Sequence, residues 1–221
     1  MSLLIFFIEL SFITIILFIS LYFDLKFREI PNKFLKIFFL FSLVLNICEF
    51  LFLLTDLLLS LIVKIIIFLI VFLISLLLFS LKIIGGSDGK LILLIFSIHP
   101  VKYLNYYNVL LFFLFYSLFF LIFFFFNLII NCTDKNSYLF QIYFDFHGRG
   151  RINSLFIKMF YKFVSLSKLK DKSSDKFFIE TLFIIYNNKK RRIQILLQYR
   201  PPLMIICLTS YYLIFFLIIV I

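Results

Sequence analysis

The sequence has few of the side chains that build disulfide or metal chemistry. Its three cysteines, Cys48, Cys132 and Cys207, form no CxxC pair, and two lie inside apolar runs. Neither a disulfide framework nor a zinc site is indicated, and packing is their expected role. Two histidines, His99 and His147, are too few for a histidine-based zinc site, and no HExxH occurs. Tryptophan is absent, and the aromatic share of 22% is almost all phenylalanine, 36 residues with no chemistry of their own. The chain opens Met-Ser-Leu-Leu with no basic n-region, so the first apolar run is expected to be a retained span, not a cleaved signal peptide. No internal repeat is found.

Charge is scarce as well. With 15% charged and 64% hydrophobic residues, a chain of 221 cannot hide its apolar side chains in one soluble core, so the bilayer is the expected solvent. Five stretches approach or reach the roughly 20 residues needed to cross it: 3–23, 35–54, 57–81, 105–130 and 203–221. A sixth, Gly86 to Ile98, is short and stops at His99-Pro100, because the residue before a proline is pushed out of the helical region.

The basic residues orient these spans. With the N-terminus outside, all of the 22 lysines and arginines except Lys64 and Lys102 fall on one face, as expected for the cytoplasmic side. The net charge of +11 then needs no nucleic acid, because it lies beside anionic lipid; Lys189-Lys-Arg-Arg192 is read as juxtamembrane. The reading is an all-α polytopic membrane protein of about six transmembrane helices with a cytoplasmic insert before the last span. Residues 1–130 form a membrane domain of five spans, 131–200 a basic cytoplasmic segment and 201–221 the last span. Within the insert, Lys168–Lys176 reads as a solvated loop. Leu155–Leu166 and Phe177–Tyr186 are expected as helices lying on the membrane, with a strand equally open for the second.

Against this background one stretch stands out: Gly85-Gly86-Ser87-Asp88-Gly89-Lys90 puts a carboxylate among glycines at membrane depth, where charge is costly and usually functional. Asp24, in Asp24-Leu-Lys-Phe-Arg-Glu-Ile-Pro-Asn32, closes the first span and comes to the same face. Two aspartates that share one proton can hydrolyse a peptide, one acting as base toward water while the other polarises the carbonyl. Glycines without a Cβ let backbone and substrate approach the carboxylate. Other readings stay open. Asp88 could be a helix N-cap, Asp24 could form a solvated ion pair with Arg28, and Arg28 and Asn32 could be ordinary loop residues. Pro31 is expected to end the helical stretch. Glu9, inside the first span, is expected to make a structural pair with Ser11, Lys64 or Ser75.

A serine nucleophile at Ser87 would need His99 as base, roughly 18 Å away along one helix. An ion transporter would need repeat symmetry and acids facing each other at mid-membrane, whereas these acids sit at one face and the halves do not match. A structural partner of a surface-filament machine that has lost activity would not need both aspartates intact.

Asp24-x-x-x-Arg28-x-Ile-Pro-Asn32 followed by Gly85-Gly-Ser-Asp88-x-Lys90 resembles the type IV prepilin peptidase family of GxGD aspartyl proteases, especially its archaeal branch, the prearchaellin (preflagellin) and prepilin peptidases. The proline pair Pro201-Pro202 entering the last span is similar to a motif there. The resemblance implies Asp24 and Asp88 as the catalytic pair. Arg28, Pro31, Asn32, Gly85, Gly86, Ser87 and Lys90 would shape the loop or meet substrate. It also implies removal, at the cytoplasmic membrane face, of the short basic leader of type IV pilin-like or archaellin precursors, with no metal or other cofactor. The four-cysteine element of the methylating bacterial branch is not found here, so methyltransferase activity is not implied. Ser87 stands where the bacterial motif has its second glycine, and the insert 131–200 has no counterpart that fixes substrate choice.

Overall fold

The computed structural model describes residues 2–27, 29–52, 57–81, 83–147, 151–165, 183–187, 191–199 and 201–220. Lys168–Lys176, Lys189 and Lys190 lie outside these residues, as do Arg28 and the first part of the stretch Phe177–Tyr186. The chain divides into two compact units, one of residues 1–117 with 202–221 and the other of residues 118–201.

The first unit is built of helices α1 (Ser2–Phe27), α2 (Asn32–Phe52), α3 (Leu57–Ser80), α4 (Gly86–Ile98), the first part of α5 (Tyr106–Cys132) and the last helix α8 (Leu203–Val220). Four of these, α1, α2, α3 and α5, are long and apolar enough to cross a membrane, and α8 offers a shorter apolar stretch, Leu203–Leu217. The protein is a predominantly helical membrane protein, as its composition requires. A 13-residue helix such as α4 covers only about 20 Å at 1.5 Å per residue, well short of the roughly 30 Å hydrocarbon core. Its surroundings make up the difference. It touches α1, α2, α3 and α8 and buries Gly89, Leu91, Ile92, Leu94, Ile95, Phe96 and Ile98. Its neighbours carry the exposed apolar side chains, among them Leu40, Leu58, Leu59 and Leu73.

Two polar devices lie at the far end of α4 from Asp88. Glu49 of α2 pairs with Lys64 of α3 at 2.7 Å, both buried, and its other oxygen accepts the Val101 N–H at 2.7 Å. That valine opens the short 3-10 turn Val101–Tyr103 after α4. His99 Nδ1 lies 3.0 Å from the Tyr211 hydroxyl of α8. Glu9 departs from expectation. Lys64 is taken by Glu49, and Glu9 is fully buried within the field of both. Neither of its carboxyl oxygens has a hydrogen-bond partner among the described residues.

The second unit holds the last part of α5, then α6 (Asp134–His147), α7 (Arg151–Phe160) and strands β1 (Tyr161–Ser165), β2 (Phe183–Asn187) and β3 (Arg192–Gln198). The sheet is antiparallel in the order β1-β3-β2, with Phe163 opposite Leu196 and Phe183 opposite Leu196 on the other side. Central β3 is therefore buried in a continuous run from Gln194 to Leu197. Leu139, Phe140 and Tyr143 of α6, Ile157 of α7, Phe163 and Leu196 form the core.

This corrects the helix expected over Leu155–Leu166. The helix ends at Phe160, and Tyr161-Lys-Phe-Val-Ser165 turns into a strand because β3 supplies its hydrogen bonds. The same partner draws Phe183–Tyr186 into a strand, the second of the two forms open for that stretch. Arg192, at the end of the basic run, opens β3.

Candidate functional site

Asp24 stands one turn before the end of α1 and is only 8% exposed. A buried carboxylate needs donors, and a helix start supplies them. Proline at 202 has no N–H, and α8 begins directly after it, so Leu203 and Met204 occupy the first helical turn, where backbone N–H groups lack intrahelical acceptors. The Met204 N–H donates to Asp24 Oδ2 at 3.2 Å. The carboxylate thereby also meets the positive end of the α8 dipole. Asp24 is thus buried against a backbone donor; Arg28, the ion-pair partner considered for it, lies outside the described residues.

Asp88 lies on the third residue of α4, half-buried. It is not the N-cap, a position that Gly85 holds; instead its Oδ2 reaches back to accept the Gly85 N–H at 3.0 Å. The approach is close enough to dictate the residue type at 85, since a Cβ built there would sit 2.9 Å from that oxygen. Gly85 has φ −77°, which any residue adopts, so proximity and not backbone freedom is what requires glycine. Gly86 is exposed beside the Phe79 ring, and Gly89 is buried against Ser75 of α3. Ser87 is half-buried at the start of α4 with His99 beyond the opposite end of the same helix, so the two do not form a nucleophile and base.

The helices carrying the two aspartates, α1 and α4, are in contact. Tyr116 of α5 is 3% exposed, and the charges of Asp88 and Asp24 both reach its phenol. Its ring is held against Phe112 at 5.9 Å, and Phe112 packs edge-on against Phe96 of α4 at 5.1 Å. Its hydroxyl makes no hydrogen bond among the described residues. Cys207, fully buried on α8, lies in the field of Asp88 as well.

The two sequence motifs meet through side chains other than the aspartates. Lys90 Nζ donates to Asn32 Oδ1 at 3.1 Å, joining the start of α2 to α4. Pro31 sits between the end of α1 and the start of α2, and its carbonyl accepts the Phe34 and Leu35 N–H groups, which starts the new helix. Sequence reasoning missed Tyr116 and the Met204 N–H. The second was announced by the proline at 202, which marks where α8 can begin; a tyrosine inside an apolar run gives no such signal. Among the described residues no cluster of three or more His, Cys, Asp or Glu side chains could hold a metal ion.

Residues 11–129, more than half of the chain and including both Asp24 and Asp88, match the family model described as the type IV leader peptidase family. No curated protein and no solved structure matches the chain.

Proposed function

The chain belongs to the type IV leader peptidase family, and on that premise we propose that it is an aspartyl endopeptidase whose catalytic pair is Asp24 and Asp88. What supports the proposal is that the two carboxylates, each accepting a backbone N–H, stand on helices that contact each other, within the stretch that matches the family. Two carboxyl groups at such a site share a proton and titrate as a pair. The deprotonated member takes a proton from water as its oxygen attacks the scissile carbonyl, and the protonated member polarises that carbonyl and later supplies the leaving amine with its proton.

Tyr116 supports a further role in this reading. Its hydroxyl, without a hydrogen-bond partner among the described residues, would donate to the oxygen on which charge develops in the tetrahedral intermediate, the place where a preorganised donor contributes most. Gly85 and Gly86 leave the backbone open beside Asp88, which suits a substrate lying extended. Lys90, Asn32, Pro31 and Ser87 shape the loop or meet substrate polar groups, the role that the sequence motif also gives Arg28.

The substrate class is a type IV pilin-like or archaellin precursor, cleaved after its short basic leader at the cytoplasmic face of the cell membrane, in a multi-pass protein. Support for the face comes from the basic residues, nearly all of which fall on the side where Asp24 and Asp88 lie. The mature N-terminus leaves unmethylated. Family membership weighs against the transporter reading of the same carboxylates.

The test is purified protein in proteoliposomes with a tagged pilin-like precursor from the same source. Product of leader-shortened mass, with a free and unmethylated N-terminus even when a methyl donor is supplied, is the expected result. An uncleaved precursor across several candidates, with the protein intact in the vesicles, contradicts it.

A further inference from the structure

Helix α7 carries an apolar face that its own unit does not cover. Leu155 and Phe156 are 54% and 57% exposed, while Ile157 beside them is buried in the core with Leu139, Phe140 and Leu196. At 100° per residue, Leu155 and Phe156 lie on the side away from Ile157 with Lys158 flanking them, while Met159 and Phe160, one turn on, are half-buried. Exposed aromatic and aliphatic pairs on a short amphipathic helix mark a surface that is covered by something.

The attachment of α7 says what covers it. Asn127 and Asn131 are four residues apart on α5 and so share a face. The Asn127 amide donates to the carbonyls of Lys158, Met159 and Tyr161 at 3.4, 2.9 and 3.2 Å. That of Asn131 donates to Lys158 and Tyr161, both at 2.7 Å. The Phe124 ring lies 4.7 Å from that of Phe160. The Lys158 and Met159 carbonyls end α7 and would otherwise lack intrahelical donors, a serious cost where water is scarce.

Depth follows from length. At 27 residues α5 is about 40 Å long, some 10 Å more than the hydrocarbon core. If the excess is shared between its ends, Asn127, five residues from the end at Cys132, lies within about 3 Å of the hydrocarbon boundary. The same stretch of α5 turns Phe125, Phe126, Ile129 and Ile130 outward. A helix tied at this depth with one apolar face and a basic flank has the composition of an interfacial anchor.

We propose that α7 lies in the plane of the membrane interface, with Leu155 and Phe156 inserted among lipid acyl chains and Lys158 among headgroup phosphates. The Asn127–Asn131 pair fastens this anchor to α5, so that the sheet behind α7 is held at the bilayer surface. The inference does not depend on the reaction, and its test is separate.

The chain has no tryptophan, so each single substitution gives a clean fluorescent reporter in the full-length protein. Phe156→Trp and Leu155→Trp are compared in phosphatidylcholine and phosphatidylglycerol vesicles with Tyr186→Trp, an exposed position on β2. Lipid brominated on the upper acyl chain probes the membrane side, and acrylamide the water side. The α7 reporters should emit at shorter wavelength and be quenched several-fold more by brominated lipid than the β2 reporter, with weaker acrylamide quenching. If both α7 positions are as open to acrylamide as the β2 position, or are shielded from both quenchers as a protein interface would be, the proposal is overturned.

Discussion

The Met204 N–H donates to Asp24 Oδ2 at 3.2 Å, across 180 residues of chain. A helix start is thus aimed at one carboxylate of the site, and the first turn of α8 is part of its surroundings. Met204→Pro removes that donor at a position where proline costs the helix little, since the N–H has no intrahelical acceptor. A hydrogen bond to a charged group contributes about 1.5–3 kcal/mol, so peptidase activity should fall about ten- to a hundredfold while the membrane-inserted protein persists at its normal level. Cleavage rate and protein abundance, measured on the same membranes, check this.

Gly85→Ala addresses the other carboxylate. The added methyl would sit 2.9 Å from Asp88 Oδ2, so the side chain must swing away from the Gly85 N–H. The helix itself tolerates alanine there, and activity should drop by at least about tenfold, the equivalent of a lost charge-assisted hydrogen bond, with a thermal midpoint close to that of the native protein. An alanine variant with full activity would show that the observed Asp88 rotamer is not needed.

Tyr116→Phe keeps the ring that packs on Phe112 and deletes only a hydroxyl that makes no hydrogen bond among the described residues. Stability should be unchanged or slightly improved. Loss of one oxyanion donor costs about a hundredfold in kcat, and KM for the precursor should hardly move. Steady-state kinetics separate this from a packing role, which would lower stability and leave kcat alone.

Glu49 and Lys64 give a prediction that concerns the scaffold. Breaking a buried pair strands one charge and costs about 3–5 kcal/mol, whereas replacing both members by apolar groups is far milder. Lys64→Met alone should therefore lower the unfolding temperature in detergent more than the double variant Glu49→Leu/Lys64→Met. The double variant still loses the bond to the Val101 N–H, so recovery should be partial.

The membrane helices were legible because bilayer length and hydropathy act on whole segments, and the ends of α4 were legible from the glycines and from His99-Pro100. The two aspartates stood out because a carboxylate in an apolar chain is conspicuous. What was not legible depended on partners distant in sequence. An N-cap role stayed open for Asp88, because only the folded helix start shows Gly85 at the cap and Asp88 on the third helical residue, reaching back to the Gly85 N–H. Glu9 and Glu49 are both acids inside apolar runs, and nothing local says which of them Lys64 will take. Tyr161–Ser165 continues a helical pattern and becomes a strand only because Gln194–Gln198 lies beside it.

The central claim is that Asp24 and Asp88 act as one catalytic pair, and Asp24→Asn and Asp88→Asn, each made alone, test it most directly. Asparagine keeps size and shape and removes the ionisable group. With a tagged pilin-like precursor that the native protein cleaves, each variant should leave the precursor full-length while remaining in the membrane at native abundance. Continued cleavage by either variant would contradict the pair.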